Sequence, residues 1–486
     1  MAALPAATSD LADPWWRLNN LYWIQDKAGR VVKFRLNPMQ TRLFEQMWLR
    51  NSILKARQHG FTTFIDVFAL DQALFTKNLE VGIIAHSKPD AQEIFRKKVL
   101  FPYQSLPEQL RAELTADRSS SQQLIFSNGS SIRVGTSMRS GTIHILHISE
   151  FGKIAAKYPQ KAEEIVTGAF EAVPATGFIF VESTAEGNSG HFYDLHQRAT
   201  DTPDTPLSFR RHFFAWYLND EYQLTTTVEQ TDEEKGYFAS IDVDLTPEQQ
   251  AWYVAKWRVL GENMRREYPT TEEEAWQAAL AGSYYSKQMQ AAKESGRICR
   301  LPVEDHLPVY TAWDLGIGDS TAIWCFQVFG KEVRVVDYYE ASGEGLAHYV
   351  NWLRDKGYRY ETHYLPHDAR VRELGSGTSR LDTLHDAGLK CEVMAAENVE
   401  DGIEQVRQLL PRCYFDKLLT GRGVDALFAY RRSFDQARGV FMTKPLHDWS
   451  GHGADAFRIL ARAVERLSHN VVISDNPTII APRYDI

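Results

Sequence analysis

The sequence lacks the features that would place the protein in a membrane or outside the cell. It has no run of about eighteen uncharged apolar residues, so it predicts no membrane-spanning helix. The first residues, Met1–Pro5, do not follow the charged-then-apolar plan of a signal peptide. Only four cysteines occur in 486 residues, all in the C-terminal half and without paired metal-ligand spacing. They are expected to be the reduced cysteines of a cytosolic protein.

An excess of positive charge is also missing. The formal net charge is -9 at pH 7, which argues against a constitutive, high-affinity nucleic-acid coat protein. Short basic clusters at 96–98, 210–211 and 431–432 are typical of solvated surface. Mild acidity still suits a protein that moves along DNA through weak, releasable phosphate contacts. The length favours two or three domains, and a hydrophobic content of 44% supplies ordinary cores.

What the sequence does contain is a phosphate-binding loop with its lysine at the unusual end. Residues 55–63 read Lys-Ala-Arg-Gln-His-Gly-Phe-Thr-Thr and follow the frame G-x-x-x-x-G-K-[ST] with two departures. Lys55 replaces the first glycine, and Phe61 occupies the usual lysine position, whereas Gly60 and Thr62 stand where the frame requires them. A loop that wraps a phosphate chain brings both of its ends near the ligand, so a lysine can act from either side.

This loop supplies the candidate nucleotide-binding residues. Backbone N–H groups around Gly60, Thr62 and Thr63, at the start of the following helix, are expected to hold phosphate. Lys55 would neutralise the β- and γ-phosphates, the hydroxyl of Thr62 would hold Mg²⁺, and Arg57 would stabilise charge at the γ-phosphate. The competing interpretation is a strand–turn–helix corner with incidental basic residues.

Alternating strands and helices in the N-terminal half predict an α/β domain with a mostly parallel, helix-covered sheet. Apolar runs at 52–54, 81–85, 143–148 and 178–181 are the expected strands, and Asn128-Gly129 predicts a hairpin turn. Ligands bind at the carboxyl ends of strands in such sheets. Motifs at those ends are therefore candidates for the same site as the loop.

Two strand ends and one upstream glutamine complete the predicted nucleotide site. The strand before Ser149-Glu150 resembles a Walker B strand whose first acid is replaced by serine, and Glu150 would orient or deprotonate the attacking water. At the end of the next strand, Ser183 and Thr184 would sense the γ-phosphate. Gln40 carries an amide that can read an adenine edge. The respective alternatives are a buried strand capped by a surface acid, a strand end followed by a loop, and a surface glutamine.

Three aspartates in the C-terminal half form a second constellation. Asp314 ends a predicted strand, Asp368 follows a later strand, and Asp455 lies on the first turn of the last helix, where its neighbours predict that it faces inward. The order of three strands, a helix and a further strand is that of an RNase H-like fold. Two Mg²⁺ or Mn²⁺ ions about 3.5–4 Å apart need hard oxygen ligands, which carboxylates supply.

The ordered motifs resemble the large terminase subunit of tailed bacteriophages over nearly the whole chain. They are the loop at 55–63, the Ser149-Glu150 strand end, Trp313–Gly316, Pro366–Ala369 and Ala454–Arg458. The resemblance implies a P-loop ATPase domain of the ASCE type followed by an RNase H-like nuclease domain. The domains are expected at 1–200 for the ATPase core, 201–300 for a lid and linker, 301–470 for the nuclease and 471–486 for a tail.

The resemblance also implies an activity. It is ATP-driven movement of viral double-stranded DNA into the procapsid, together with metal-dependent cutting of concatemeric DNA. The implied cofactors are ATP with Mg²⁺ at one site and two Mg²⁺ or Mn²⁺ ions at the other. The implied partners are double-stranded DNA, the portal protein and a small terminase subunit, with a homo-pentamer on the procapsid and often a monomer in isolation. The implied location is the cytoplasm of the infected bacterial host, on the procapsid and not in the mature virion.

Residue roles follow from the same resemblance. The ATPase positions are matched by Lys55, Arg57, Thr62 and Glu150. The nuclease acids are matched by Asp314, Asp368 and Asp455. Ser183-Thr184 matches the coupling motif, and Arg139 is a candidate arginine finger acting between subunits, with a basic loop residue as the alternative.

Two other functions compete with this one. The first is a nuclease of the resolvase or integrase class with an inactive ATPase-like domain, favoured by Phe61 and Ser149. The second is a non-catalytic protein that bridges portal and DNA. A helicase is disfavoured, because the motifs after residue 187 belong to a nuclease fold rather than to a second motor lobe.

Overall fold

The chain divides into two compact α/β units. The computed structural model describes residues 8–120, 122–138, 141–187, 190–278, 282–316, 320–372, 377–435 and 440–470. Unit 1 comprises residues 1–281 and unit 2 residues 282–486. No helix within these described ranges is long and apolar enough to cross a membrane.

Unit 1 is built on an eight-stranded sheet and a separate two-stranded ribbon. The strands of unit 1 are β1 Trp23–Gln25, β2 Val31–Lys33, β3 Arg50–Lys55, β4 Glu80–Ile84, β5 Ala116–Ser119, β6 Gln123–Phe126, β7 Ser131–Gly135, β8 Ile145–Ser149, β9 Phe178–Ser183 and β10 Arg210–Phe214. The sheet order is β10-β3-β9-β8-β4-β7-β6-β5. The six strands from β10 to β7 are parallel, and β6 and β5 are antiparallel.

Helices cover this sheet. They are α1 Thr8–Ala12, α2 Pro14–Asn20, α3 Pro38–Gln46, α4 Phe61–Phe75, α5 Lys88–Ile94, α6 Phe101–Gln104, α7 Glu108–Glu113, α8 Phe151–Lys157, α9 Pro159–Glu164, α10 His191–Arg198, α11 Asp232–Ser240, α12 Pro247–Leu260, α13 Met264–Glu267 and α14 Glu272–Ala278. Shorter turns are the π-helical Phe95–Leu100 and Ile165–Ala169 and the 3-10 turns Trp216–Leu218 and Gly261–Asn263.

The strand order of unit 1 confirms the predicted ASCE-type arrangement. Strand β9 lies between β3, which leads into the phosphate loop, and β8, which carries Ser149. Every residue of β3 is buried, as expected of a central parallel strand covered on both faces. The predicted hairpin is also confirmed, since β6 and β7 pair across Asn128-Gly129. Gly129 adopts the left-handed backbone at φ 83 that such a turn requires.

Unit 2 has a seven-stranded sheet and a short hairpin. The strands are β11 Ile298–Cys299, β12 Val309–Asp314, β13 Ser320–Phe329, β14 Glu332–Ser342, β15 Tyr360–Leu365, β16 Cys391–Val393, β17 Cys413–Asp416, β18 Arg432–Asp435 and β19 Val440–Pro445. The helices are α15 Ser286–Glu294, α16 Leu346–Lys356, α17 Arg380–Asp386, α18 Val399–Leu409, α19 Gly421–Ala429 and α20 Ser450–Asn470, with 3-10 turns at His367–Arg370 and Leu410–Arg412.

The topology of unit 2 confirms the predicted RNase H-like fold. Strands β12, β13 and β14 are consecutive and antiparallel, and β15 and β16 continue the sheet in parallel on the other side of β12. The order is therefore three-two-one-four-five in these strands, with β17 and β11 added beyond β14. Residues 282–300, which the sequence analysis assigned to a lid and linker, lie in this unit, where Tyr285 and Met289 are buried in its core.

A buried ion pair joins the first helices of unit 1 to the helix that follows the phosphate loop. Arg17 on α2 donates two hydrogen bonds to Asp71 on α4, at 2.9 and 2.7 Å, and Tyr22 donates a third at 2.8 Å. Both charged side chains are almost fully excluded from solvent. Such a pair contributes little more to the free energy of unfolding than an apolar contact of similar volume. Removing one partner, however, leaves an uncompensated buried charge.

We therefore expect Asp71→Ala to destabilise unit 1 by about 3–5 kcal/mol. The matched control is Glu93→Ala, which breaks the exposed Glu93–Lys97 pair and should cost under about 0.5 kcal/mol. Chemical denaturation followed by circular dichroism measures both. Equal losses in the two variants would contradict the structural importance of the buried pair.

Candidate functional site

The loop between β3 and α4 has the wrapped geometry of a phosphate cradle. Gln58 and Gly60 both adopt left-handed backbone, at φ 59 and φ 78, which turns the chain back toward the start of α4. Gln40 holds this turn, because its amide nitrogen donates to the Gly60 carbonyl at 2.9 Å. A Cβ atom on residue 60 would lie 2.7 Å from that nitrogen. A glycine at this position thus avoids both the strain of the left-handed backbone and displacement of the Gln40 amide.

Lys55 ends β3 with its ammonium buried between two carboxylates. Its Nζ lies 3.2 Å from Glu150 Oε1 and 3.1 Å from Glu182 Oε2. Burial lowers the pKa of Lys55, but the negative charges of Glu150 and Glu182 outweigh it, so the net pKa is raised. Burial likewise raises the pKa of Glu182, yet Lys55 and His147 hold it well below its usual value. The Lys55 ammonium and the carboxylates of Glu150 and Glu182 are therefore all ionised at neutral pH.

Glu182 also accepts hydrogen bonds from two hydroxyl groups of the site. Thr62 Oγ1 donates to Glu182 Oε1 at 2.7 Å, and Ser149 Oγ donates to the same oxygen at 2.9 Å. Behind it, His147 Nε2 lies 3.7 Å from Glu182 Oε1, and His147 Nδ1 lies 2.7 Å from Asp66 Oδ1. Burial lowers the pKa of His147, but Asp66 and Glu182 raise it to about 9. The imidazole is consequently a buried cation at neutral pH.

Glu150 occupies a strained backbone position immediately after β8. Its φ of 56 places a non-glycine residue in the left-handed region, which is uncommon and concentrated at functional sites. One carboxylate oxygen meets Lys55, and the other lies 2.9 Å from Lys153 Nζ. Burial raises the pKa of Glu150, and the charges of Lys55 and Lys153 lower it further than burial raises it.

The remaining predicted residues of unit 1 surround this centre. The guanidinium of Arg57 forms an ion pair with Glu267. Ser183 and Thr184 are buried, and within the described part of the chain their hydroxyl oxygens have no hydrogen-bond partner. Helix α8 approaches them so closely that a Cβ on Gly152 would lie 2.7 Å from Ser183 Oγ. The strand end that carries Glu150 and the predicted coupling segment are therefore in direct contact.

A cleft of about 560 Å³ opens beside the loop. Gln40, His59, Gly60 and Thr63 line it, together with residues 24–28, 30, 32–35, 37–39, 58 and 218–221. Gln40 is 4% exposed, and its amide oxygen accepts from the Asn37 N–H at 3.1 Å while its nitrogen holds Gly60. Its adenine-reading role stays a prediction. Arg139 lies outside the described residues.

In unit 2 the three predicted aspartates come from neighbouring elements. Asp314 ends β12, Asp368 follows the adjacent parallel strand β15, and Asp455 lies on α20. Burial raises the pKa of Asp314, and the charges of Asp455 and Asp368 add to the rise, whereas the hydrogen bond from His452 opposes it. His452 Nδ1 lies 3.1 Å from Asp314 Oδ2. The structure thus brings together carboxylates that repel one another.

These carboxylates have the donor chemistry that divalent cations require. Asp368 Oδ1 is buried without a hydrogen-bond partner in the described ranges. The Asp455 side chain is 38% exposed and accepts from Arg458 at 2.7 Å and Tyr430 at 3.2 Å, so it is partly open to solvent. Among the described residues, no three His, Cys, Asp or Glu side chains already form a group that could hold a metal ion. The residue types fit such ions, and the metal-ligand assignment stays a prediction.

The sequence analysis assigned no role to Glu182, His147 or His452. Glu182 was part of a recognised strand-end motif. An acidic residue directly after the apolar run 178–181 was the signal that could have identified it. His147 alternates with apolar residues in β8 and gave no sign of its partner Asp66, which lies 81 residues earlier. His452 reaches Asp314 across 138 residues, a distance that sequence spacing does not reveal.

Comparison with known proteins gives structural similarity only. No family model and no curated protein matches the sequence. Among solved structures, the large terminase of bacteriophage HK97 is 12% identical, with a TM-score of 0.45 over 93% of this chain and 99% of that one. The large terminase of a thermophilic bacteriophage is 13% identical, with a TM-score of 0.35 over 89% of this chain and 100% of that one. The P22 large terminase nuclease domain is 20% identical over 35% of this chain and 88% of that one, with a TM-score of 0.28.

The raised pKa of Asp314 predicts a pH-dependent effect on stability. A carboxyl whose pKa is higher in the folded state binds its proton more tightly there, so its contribution to stability falls as pH rises past its unfolded value of about 3.9. Asp314→Asn removes that loss. Without added metal, we expect the stability of the variant relative to the wild type to increase as pH rises from 4 to 7.

Denaturant unfolding in EDTA at several pH values measures this difference. Asp386→Asn, at the end of α17 and outside the cleft, is the control and should follow the wild type at each pH. A constant difference between Asp314→Asn and the wild type across the range would contradict the inferred environment of the carboxyl.

Proposed function

We propose that this protein is a terminase-type DNA-packaging enzyme. In this proposal unit 1 hydrolyses ATP to move double-stranded DNA, and unit 2 cuts DNA with two metal ions. The observation that carries the proposal is the arrangement in unit 1, where Lys55 lies between Glu150 and Glu182 at the mouth of a phosphate-type loop. The three aspartates on neighbouring elements of an RNase H-like sheet support the second activity.

The chemistry of unit 1 follows from the charges around Lys55. A nucleotide in the cleft beside Gln40 places its phosphates at the loop, where its negative charge competes with Glu150 and Glu182 for the Lys55 ammonium. As Lys55 turns to the phosphates, Glu150 would lose one of the two cations that lower its pKa and become a better acceptor for the proton of the attacking water. Thr62 is the residue that would hold Mg²⁺, which supplies charge neutralisation at the β- and γ-phosphates.

The proposed chemistry of unit 2 depends on its three carboxylates. Asp314, Asp368 and Asp455 would hold two Mg²⁺ or Mn²⁺ ions, which activate water and stabilise the leaving oxygen in phosphodiester cleavage. His452 keeps one Asp314 oxygen in a hydrogen bond and thereby orients the carboxylate. Arg458 does the same for Asp455.

The further parts of the proposal concern coupling and assembly. Ser183 and Thr184 would sense the γ-phosphate through hydroxyls that are buried beside α8. Arg57 would exchange Glu267 for the γ-phosphate, and Arg139 would act from a neighbouring subunit. The proposed partners are double-stranded DNA, the portal protein and a small terminase subunit, in a pentamer on the procapsid within the infected cell.

Because the two proposed activities lie on separate units, a substitution should be able to remove one activity and leave the other intact. We expect Lys55→Ala to reduce DNA-stimulated ATP hydrolysis by at least about a hundredfold, because the main cation at the phosphates is lost, and to leave Mn²⁺-dependent plasmid cutting unchanged. Asp314→Asn should show the opposite pattern. ATPase and plasmid-cutting assays on the same preparations measure both.

The outcomes separate the competing functions. A wild type that cuts DNA without any DNA-stimulated ATPase would indicate the resolvase-like nuclease. A wild type without either activity would indicate the assembly protein. Loss of both activities in folded Lys55→Ala would contradict independent sites.

The position of the lysine gives a second prediction. Phe61 is 1% exposed and packs against Phe214 with ring centroids 4.4 Å apart, so a lysine at position 61 would point into the core and away from phosphate. Adding Phe61→Lys to Lys55→Ala should therefore leave ATPase activity at the level of Lys55→Ala. Restoration of wild-type activity would show that the loop follows the usual frame after all.

A further inference from the structure

Glu182 is the most connected side chain of the nucleotide site, although it belongs to neither the phosphate loop nor the Walker B-type strand. Strand β9 places it beside Ile53 of β3 on one side and Ser149 of β8 on the other. Its side chain is fully buried. One carboxylate oxygen meets Lys55, and the other accepts from Thr62 and Ser149.

The direction of these hydrogen bonds matters for metal binding. A hydroxyl has one proton to donate and two lone pairs to offer. Because Thr62 and Ser149 both donate their protons to Glu182 Oε1, the lone pairs of both hydroxyls remain available to a cation. Carboxylates that accept hydrogen bonds from metal ligands commonly fix ligand orientation and tune affinity in this way.

The chain also lacks the acid that would otherwise support the metal ion from the end of β8. Position 149 holds serine where the Walker B pattern has its first acid. Glu182 lies in register with that serine on the next strand. His147, backed by Asp66, supports the carboxylate from behind, so its negative charge is retained even though it is buried.

We propose that Glu182 is the positioning residue for the metal of the nucleotide site: it orients the Thr62 and Ser149 hydroxyls toward the ion and supplies the charge that an acid at position 149 would provide. This rests on the proposed ATPase function of unit 1. The competing explanation is a purely structural acid that neutralises Lys55 and His147.

Metal dependence of nucleotide binding distinguishes these explanations without relying on turnover. A fluorescent, non-hydrolysable ATP analogue is titrated in EDTA and then at increasing Mg²⁺. For Glu182→Gln we expect the Mg²⁺ concentration for half-maximal tightening to rise about 10–100-fold. Affinity in EDTA should be unchanged or tighter, because one negative charge near the phosphates is gone. Glu80→Gln, the same charge change at the opposite, exposed end of β4, should behave as wild type.

Moving the carboxylate back to the Walker B position is the decisive variant. The double variant Ser149→Asp/Glu182→Gln has the wild-type net charge and should recover Mg²⁺ dependence to within about threefold of wild type, since a carboxylate again lies beside the ion and its Thr62 ligand. This comparison holds even if Glu182→Gln alone does not fold. A thermal melt in EDTA verifies folding of each variant.

Three results would overturn the proposal. One is an unchanged Mg²⁺ requirement in folded Glu182→Gln, with nucleotide binding intact. Another is a parallel loss of affinity in EDTA and in Mg²⁺, which is the signature of the structural role. The third is a folded double variant without Mg²⁺ dependence. Absence of nucleotide binding by the wild type would instead reject the ATPase proposal itself, and this inference with it.

Discussion

The candidate site of unit 1 depends on the ion pairs of the buried Lys55 ammonium. Its two carboxylate partners come from different strands, Glu150 after β8 and Glu182 at the end of β9. A cation that is 5% exposed is tolerated only because both are present. The strand order explains how this is achieved, since β9 lies between β3 and β8 and brings the three carboxyl ends together. In the proposed function, nucleotide phosphates would compete with these partners for Lys55.

Charge is arranged differently at the two candidate sites. In unit 1 Lys55 lies between Glu150 and Glu182, and the histidine behind Glu182 is itself held charged by Asp66. In unit 2 Asp455 is paired with Arg458, and the pKa of Asp314 is raised by burial and by its acidic neighbours. The proposed phosphate binding in unit 1 requires an anion that competes for Lys55, and the proposed metal-assisted cutting in unit 2 requires cations that neutralise its carboxylates.

Local sequence patterns made much of the fold and of the candidate site predictable. Contacts between strands that are distant in the sequence could not be predicted in this way. The mostly parallel sheet of unit 1 and the hairpin at Asn128-Gly129 follow from apolar periodicity and turn residues, and the structure confirms them. The ASCE-type arrangement was implied by the family resemblance, and the RNase H-like fold by the order of elements and acids. Lys55 and Glu150 were recognised because their motifs are continuous in the chain. Glu182 received no role, because its contact with Thr62 spans 120 residues and depends on which strands are neighbours. Asp455 was placed on the first turn of α20 by its neighbours, but its hydrogen bond from Arg458, only three residues away, was not predicted although residues three apart lie on one helix face.

A structure of the protein with ADP and Mg²⁺ tests the central claim most directly. The account predicts that the Lys55 ammonium leaves Glu150 and lies within hydrogen-bond distance of a phosphate oxygen, with Glu182 still accepting from Thr62. Phosphates bound away from the loop, or a Lys55 that still bridges both glutamates while nucleotide fills the cleft, would contradict it.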